Sequence, residues 1–318
     1  MRSTFIAGVA VILAASSAAA QEVTLRAVSS FAEGTEFSKN FERFIDKVNN
    51  DGKGLIKINY IGGPRAVPPF EVGNAVRTRV VDMANVTGAF YTNLMPEADG
   101  FKLNGKPMSE QRKNGTWEYI NQLHNQKLNS YYLARQFHNV PFHIYLNKKI
   151  DKIDFSGLKI RVTPVYRDVV EALGGTPVTT APGEVYTALE RGVADGYGWP
   201  VTGIFDLGWD KVTKFRMEPP FYSVEVNVLV NQDAWKGLND AQRKVLSDAA
   251  LWLEGLDSEK DAVIKAERER QAAAGIQALD FGPAASKAFL DRAYDVAWQS
   301  VVKRAPESGP KLRQLAGN

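Results

Sequence analysis

The chain contains no cysteine. That excludes disulfides, thiol nucleophiles and cysteine-held metals. Histidine is scarce too: His124, His138 and His143 do not stand at metal-ligand spacing, and no carboxylate cluster accompanies them. No metal and no cofactor are therefore expected. Neither sign of charge dominates, with 39 basic and 36 acidic residues and a formal net charge of +3, so nothing points to nucleic acid or an anionic membrane as partner. Beyond residue 20 no run approaches the roughly 18 apolar residues needed to cross a bilayer, and no membrane insertion is expected. Also missing are a Gly-x-Ser-x-Gly elbow, a Gly-Lys-Ser/Thr phosphate loop and a His-Glu-x-x-His helix. Gly62-Gly63-Pro64 does not complete a dinucleotide fingerprint. An enzyme using an Asp/Glu pair leaves no local signature and stays open as an alternative.

What is present begins with a leader. Arg2 gives a charged start, Phe5 to Ala15 form a short apolar run, and Ala18 and Ala20 occupy small-residue positions before Gln21. Residues 1–20 read as a cleaved secretory signal peptide, which places the mature chain in the periplasm. With 44% hydrophobic and 24% charged residues over its 318 positions, the full sequence can bury a full core. Its length exceeds a typical domain, so two lobes are expected.

The pattern is α/β. Val23–Val28 reads as a strand, and a helix follows with Phe37, Phe41, Phe44, Ile45 and Val48 on one face. Leu55–Ile61 alternates as a half-buried strand. A helix around Phe70–Arg77 then leads into a strand at Val80–Ala84. An internal echo links Glu71-Val72-x-x-Ala75-Val76-x-x-x-Val80-x-Asp82 with Glu184-Val185-x-x-Ala188-Leu189-x-x-x-Val193-x-Asp195. In both copies a helix runs into a strand that ends in a loop rich in glycine and aromatics, 85–91 and 196–205. Two such loops would face each other across a cleft, where open α/β sheets bind ligands. Phe221–Val230 reads as an apolar strand returning to the first lobe. Asp240–Ala274 is a long helical stretch interrupted by Gly255 and stopped by Gly275, Ser286–Lys303 is another helix, and the last residues read as loosely held. No low-complexity linker separates the lobes, so the chain is expected to cross between them more than once.

Arg161 ends the strand Gly157-Leu158-Lys159-Ile160-Arg161-Val162, where its planar fork suits a carboxylate. Pairing with a neighbouring Asp or Glu is the alternative. Asn85 and Thr87 are candidates for a hydroxyl or second oxygen of a ligand, and Glu33 is a further polar candidate. His143 is either a donor or a satisfied core histidine. Phe31, Phe90, Tyr91, Tyr197 and Trp199 are candidates for an aromatic compartment. Glu184, opening a helix, reads more readily as a cap than as a ligand contact.

From about Phe142 to Ala250 the chain resembles the solute-binding proteins of tripartite ATP-independent periplasmic (TRAP) transporters, of the dicarboxylate-receptor type. The resemblance rests on Asp154-Phe155-Ser156-Gly157-Leu158-Lys159-Ile160-Arg161, Ala172-Leu173-Gly174-Gly175-Thr176-Pro177, Glu184-Val185-Tyr186-x-Ala188-Leu189-x-x-Gly192-x-x-Asp195-Gly196 and Asn231-x-x-x-Trp235-x-x-Leu238. It implies a two-lobed periplasmic binding protein of type II-like plan, with a ligand cleft between lobes and a long hinge-spanning helix. Lobe I would comprise residues 21–140 plus about 227–262, and lobe II residues 141–226 plus about 263–318. It also implies a receptor, expected to be a monomer, that closes on an organic acid and delivers it to membrane permease subunits, with the arginine matching Arg161 bridging the ligand carboxylate. Two departures stand out. Trp199 lies where many members carry an asparagine, and Pro141-Phe142-His143 lies where a second arginine is common. The lost polar ligands favour a monocarboxylate with an apolar or aromatic body. A receptor of another uptake system is the remaining alternative.

Overall fold

The computed structural model describes residues 22–317. The expected leader lies outside them. In chain order the elements are β1 (Val23–Ser29), α1 (Glu36–Asp51), β2 (Ile56–Tyr60), α2 (Val72–Arg77), β3 (Met83–Val86), α3 (Met108–Lys113), α4 (Thr116–Lys127), β4 (Ser130–Gln136) and β5 (Pro141–Leu146). There follow β6 (Lys159–Val162), α5 (Arg167–Ala172), β7 (Thr176–Thr179), α6 (Val185–Glu190), β8 (Gly196–Pro200), β9 (Phe215–Met217), β10 (Tyr222–Ser223) and β11 (Val226–Asn231). The chain ends with α7 (Gln232–Gly237), α8 (Asp240–Gly255), α9 (Lys260–Ala273), β12 (Gln277–Leu279), α10 (Pro283–Arg304) and α11 (Gly309–Ala316).

These strands form two sheets of matching plan. The first runs β2-β1-β3-β11-β4 and the second β7-β6-β8-β5-β9-β12, with β10 on β5. In each, three parallel strands meet an antiparallel fourth that arrives from the other half of the chain. The internal echo is structural. In both copies a 3₁₀ turn (Pro69–Glu71, Pro182–Glu184) leads into a six-residue helix. Asp82 accepts from the Arg26 amide on β1 at 3.0 Å, and Asp195 from the Lys159 amide on β6 at 2.9 Å. Each aspartate thus pins its incoming strand to the sheet centre.

The strands themselves start later than the sequence pattern suggests. Val80 is 59% exposed and lies in the turn before β3, and Val193 occupies the same place before β8. The Gly196–Pro200 segment, read as the start of a loop, is itself β8. Glycine weakens a strand and signals a loop unless another backbone must come close. Here it must: a Cβ on Gly196 would lie 2.4 Å from the Tyr145 carbonyl, and one on Gly198 would lie 2.6 Å from the Tyr166 ring.

The α1 face reads as expected, with Phe37, Phe41, Phe44, Ile45 and Val48 all buried. The apolar run 221–230 divides: β10 pairs with β5 of the second sheet and β11 with β3 and β4 of the first. The chain therefore changes sheets at Val224–Glu225, as it does between β4 and β5. The long helix is broken at a 3₁₀ turn, Leu256–Glu259, between α8, which packs on α1 and β4, and α9, which contacts β12. The C-terminal segment is held rather than loose. Pro310 near its start favours α11, whose Leu312 and Ala316 are buried, and the helix packs on α4 and on the 3₁₀ segment Pro96–Leu103. Residues 309–316 thus lie against α4, which packs on β4 of the first sheet, and against the 96–103 segment, whereas the sequence boundaries group them with the second lobe. No helix among the described residues is long and apolar enough to cross a membrane.

Candidate functional site

A cavity of about 70 Å³ lies between the two sheets. Its walls come from positions at or just beyond the carboxyl ends of parallel strands: Phe31 after β1, Thr87 after β3, Thr163 after β6, and Trp199 near the end of β8. That is where an open α/β sheet places its ligand. Most of the wall is aromatic. Phe31 packs against Phe37 and Phe90 at ring-centroid distances of 5.4 and 5.9 Å, and Trp199 meets Phe37 edge-on at 5.8 Å. Rings from both halves of the chain therefore close one compartment. An outer vestibule of about 600 Å³ shares Phe31 and Trp199 with it and is flanked by Glu33, Arg65 and Asp206.

The polar equipment is sparse, as suits a specific pocket. Thr163 Oγ1 and Trp199 Nε1 are buried in the wall and have no hydrogen-bond partner among the described residues. Behind the wall stands Arg161, fully buried. Its Nε and Nη2 donate to the Thr180 carbonyl at 3.0 and 2.5 Å, and its Nη1 reaches the hydroxyl of the wall residue Tyr166 at 3.4 Å. Among the described residues no carboxylate forms an ion pair with it. The expected alternative, neutralisation by a neighbouring Asp or Glu, is therefore not what the structure shows. Burial pulls its pKa down, with Tyr166 opposing. Glu184 acts on it only from a distance, and a buried guanidinium with no carboxylate in contact is costly and becomes more stable once an anion arrives.

Phe31, Thr87, Phe90 and Trp199 form the cavity wall, and Glu33 sits in the exposed vestibule. Four other candidates lie elsewhere. His143 alternates on β5 with Phe142, so Phe142 faces the cavity and His143 the opposite side. There its Nδ1 pairs with the Met217 carbonyl at 2.9 Å, and burial lowers its pKa to about 4, making it a neutral core histidine. Tyr197 stacks on Tyr145 at 5.1 Å and shares a hydrogen bond with Thr213. Asn85 donates to Ser29 Oγ and to the Phe37 carbonyl, bracing the β1–α1 turn. Tyr91 packs so closely on α2 that a Cβ on Gly73 would lie 2.5 Å from its own Cβ. Glu184 accepts from the Ala181 amide at 3.1 Å, the capping role expected of it.

Sequence reasoning passed over Thr163, Tyr166, Lys102 and Glu225. Thr163 had a signal, standing two residues after Arg161 and hence on the same strand face. Glu225 had one too, as a lone carboxylate inside the apolar run 221–230. It is 4% exposed and lines the cavity. Burial raises its pKa to about 7, against the pull of Arg135 and of hydrogen bonds from Thr87, Asn227 and the Gly88 amide. Lys102 lines the cavity as well, but its ammonium is held by Asp99 and lies 4.7 Å over the Tyr222 ring.

The Glu225 shift has a measurable consequence. Across the interval from the ordinary glutamate range to about 7, the folded chain holds a proton that the unfolded chain has lost. Its contribution is therefore present at low pH and disappears as pH rises. Glu225→Gln is expected to gain stability relative to the parent chain by roughly 3 kcal/mol between pH 4 and pH 8. Urea denaturation of both proteins at the two pH values checks this. A difference independent of pH contradicts it.

Residues 28–303 match the DctP family, described as bacterial extracellular solute-binding protein, family 7. Among curated proteins, Solute-binding protein RD1_1052 of Roseobacter denitrificans is 24% identical over 246 residues, spanning 75% of each chain. Among solved structures, DctP7 of Bordetella pertussis, an extracytoplasmic solute receptor binding pyroglutamic acid, is similar with a TM-score of 0.82 at 18% identity, covering 93% of this chain and 100% of that one. A TRAP periplasmic solute binding protein from Desulfovibrio salexigens, with bound orotic acid, gives 0.82 at 19% identity over 92% and 97% of the two chains. These structural likenesses carry the two-sheet architecture, and the family match spans most of the sequence. The chain belongs to family 7 of the bacterial extracellular solute-binding proteins, the solute receptors of TRAP transporters.

Proposed function

We propose that this receptor works in the periplasm, binds an organic monocarboxylate with an apolar or aromatic body, and passes it to the TRAP permease. The carrying observation is Arg161, buried, without an ion-pair partner among the described residues, and bonded through Nη1 to the cavity residue Tyr166. In this reading the ligand carboxylate takes the guanidinium edge now turned to Tyr166, with the Thr163 hydroxyl beside it. The ligand body packs against Phe31, Phe90 and Trp199. Relatives that bind pyroglutamic acid and orotic acid, both small ring acids, support the ligand class.

Closure follows from the same arrangement. Lobe I, residues 21–140 plus about 227–262 with α11 packed on it, and lobe II, residues 141–226 plus about 263–308, turn about the two strand crossings and the break in the long helix. A ligand favours the closed form in proportion to the contacts it gains from the second lobe. The receptor acts as a monomer, its partner being the permease.

A thermal-shift screen of residues 21–318 against aliphatic, aromatic, keto, hydroxy and dicarboxylic acids tests the reading. A ligand at about 100 times its Kd adds roughly 2.7 kcal/mol of stability. One coherent group of monocarboxylate hits is expected. Silence across all acids, in protein refolded to remove carried-over ligand, contradicts the reading. Trp199→Asn is expected to weaken a bulky apolar acid about tenfold or more, because the indole closes the compartment, and a small aliphatic acid less. Calorimetric titration with both acids checks the order, and the reverse order contradicts the compartment.

A further inference from the structure

Glu225 is the one carboxylate among the described residues that line the cavity. It has no ion-pair partner among them and is almost completely buried. An ionised carboxylate offers about four lone-pair positions. Oε1 accepts from the Thr87 hydroxyl and from the Gly88 amide, each at 2.7 Å, and Oε2 accepts from the Asn227 side-chain amide at 2.5 Å. One acceptor position remains on Oε2.

In the ionised side chain that position is an acceptor, and its neighbours among the described residues supply no donor for it. Asn227 cannot turn its oxygen towards Glu225, because its Oδ1 already accepts from the Tyr132 hydroxyl at 2.7 Å and its Nδ2 also donates to the Tyr91 hydroxyl at 3.1 Å. Tyr91 is anchored in turn on His124 Nε2 at 3.1 Å. Three neutral donors and the more distant charge of Arg135 oppose the burial that raises the Glu225 pKa to about 7, so above that pH the side chain presents an anion to the cavity. Lys102, the cation on the same cavity, is already matched by Asp99. A second ligand carboxylate here would meet the ionised Glu225 as a like charge and be disfavoured.

We propose that the ligand carries an N–H or O–H donor away from its carboxylate, and that Glu225 is the residue that selects for it. The inference rests on Arg161 holding the carboxylate, as argued above. The donor is either neutral, as in an amide or hydroxyl, or cationic, as in an ammonium group. Both satisfy the free lone pair, and an acid without a donor leaves it desolvated and unmet.

Three ring acids of similar size separate the cases: cyclopentanecarboxylate, with no donor; 5-oxopyrrolidine-2-carboxylate, with a neutral N–H; and pyrrolidine-2-carboxylate, with an ammonium. Isothermal titration of the mature protein with each at about pH 8, where Glu225 is ionised, is expected to show at least one nitrogen-bearing acid binding tenfold or more tightly than cyclopentanecarboxylate. Which of the two wins identifies the donor as neutral or cationic. Glu225→Gln is expected to shrink that ratio to within about threefold. Equal binding of all three acids overturns the proposal and leaves the carboxylate reading standing. A ratio that survives in Glu225→Gln overturns the role of Glu225. Binding of none overturns this proposal and the carboxylate reading together. If the variant does not fold, the wild-type ratio decides alone, since equal affinities already contradict the selection.

Discussion

Arg161→Ala is expected to weaken carboxylate binding by at least about 100-fold while the chain still folds. The size follows from the bonds at stake. A fork that gives a carboxylate two charge-assisted hydrogen bonds contributes roughly 1.5–3 kcal/mol through each. The preserved fold follows from where the charge sits. Arg161 is fully buried and bonds Thr180 and Tyr166, but no ion pair among the described residues is lost with it. Relief of the buried charge offsets much of what the lost bonds to Thr180 cost. Arg161→Lys keeps the charge without the planar fork and is expected to fall between the two. Calorimetric titration with the tightest acid of the screen, beside thermal melts of the ligand-free proteins, measures both effects. Unchanged affinity in the alanine variant would remove Arg161 from the site.

Asp257→Ala is expected to cost about 2–5 kcal/mol of stability, because two N–H groups lose their acceptor where the chain first changes sheets. Asp257 lies in the break between α8 and α9 and is 2% exposed. Its Oδ1 accepts from the Phe137 amide at 2.7 Å. Its Oδ2 accepts from the His138 amide at 3.1 Å and meets His138 Nδ1 at 2.6 Å. Phe137 has φ of +69°, an uncommon conformation for a bulky side chain that only a fixed environment sustains. The carboxylate therefore ties the break in the long helix to the strained crossing between β4 and β5. Asp257→Asn keeps one acceptor and is expected to lose less. Urea denaturation measures the order. A loss below about 1 kcal/mol for the alanine variant would show that the clasp adds nothing.

Much of this plan is legible in the sequence because it depends on local periodicity. The α1 face, the paired helix-to-strand repeats and the long helix with its interruption near Gly255 all follow from spacing. Strand starts were less legible, since Val80 and Val193 look like strand residues yet occupy exposed turns. β8 was hidden by its glycines, whose purpose is visible only once Tyr145 and Tyr166 are seen pressing on them. α11 was hidden because its stability comes from packing on α4 and the 96–103 segment, not from its own short sequence.

The same division applies to the site. Phe31, Thr87 and Phe90 follow strand ends and Trp199 lies near the end of β8, where the rule for open α/β sheets looks. His143 and Tyr197 are a matter of which strand face looks inward. Tyr91 and Asn85 are polar core groups whose partners come from distant segments, so nothing local distinguishes them from ligand contacts. Glu225 needs the fold most of all. Its significance arises where one apolar run leaves the second sheet for the first, and that switch leaves no mark except the lone carboxylate itself.

The central claim is that a ligand carboxylate sits on Arg161 between the two sheets. The most direct measurement is a crystal structure of the mature protein with the tightest-binding acid of the screen. The account predicts the carboxylate within about 3 Å of an Arg161 Nη atom, with Thr163 beside it and the body of the acid against Phe31 and Trp199. Two other cations are within the ligand's reach, Lys102 in the cavity and Arg65 in the vestibule. A carboxylate resting on either, with Arg161 still bonded only to Thr180 and Tyr166, would contradict it.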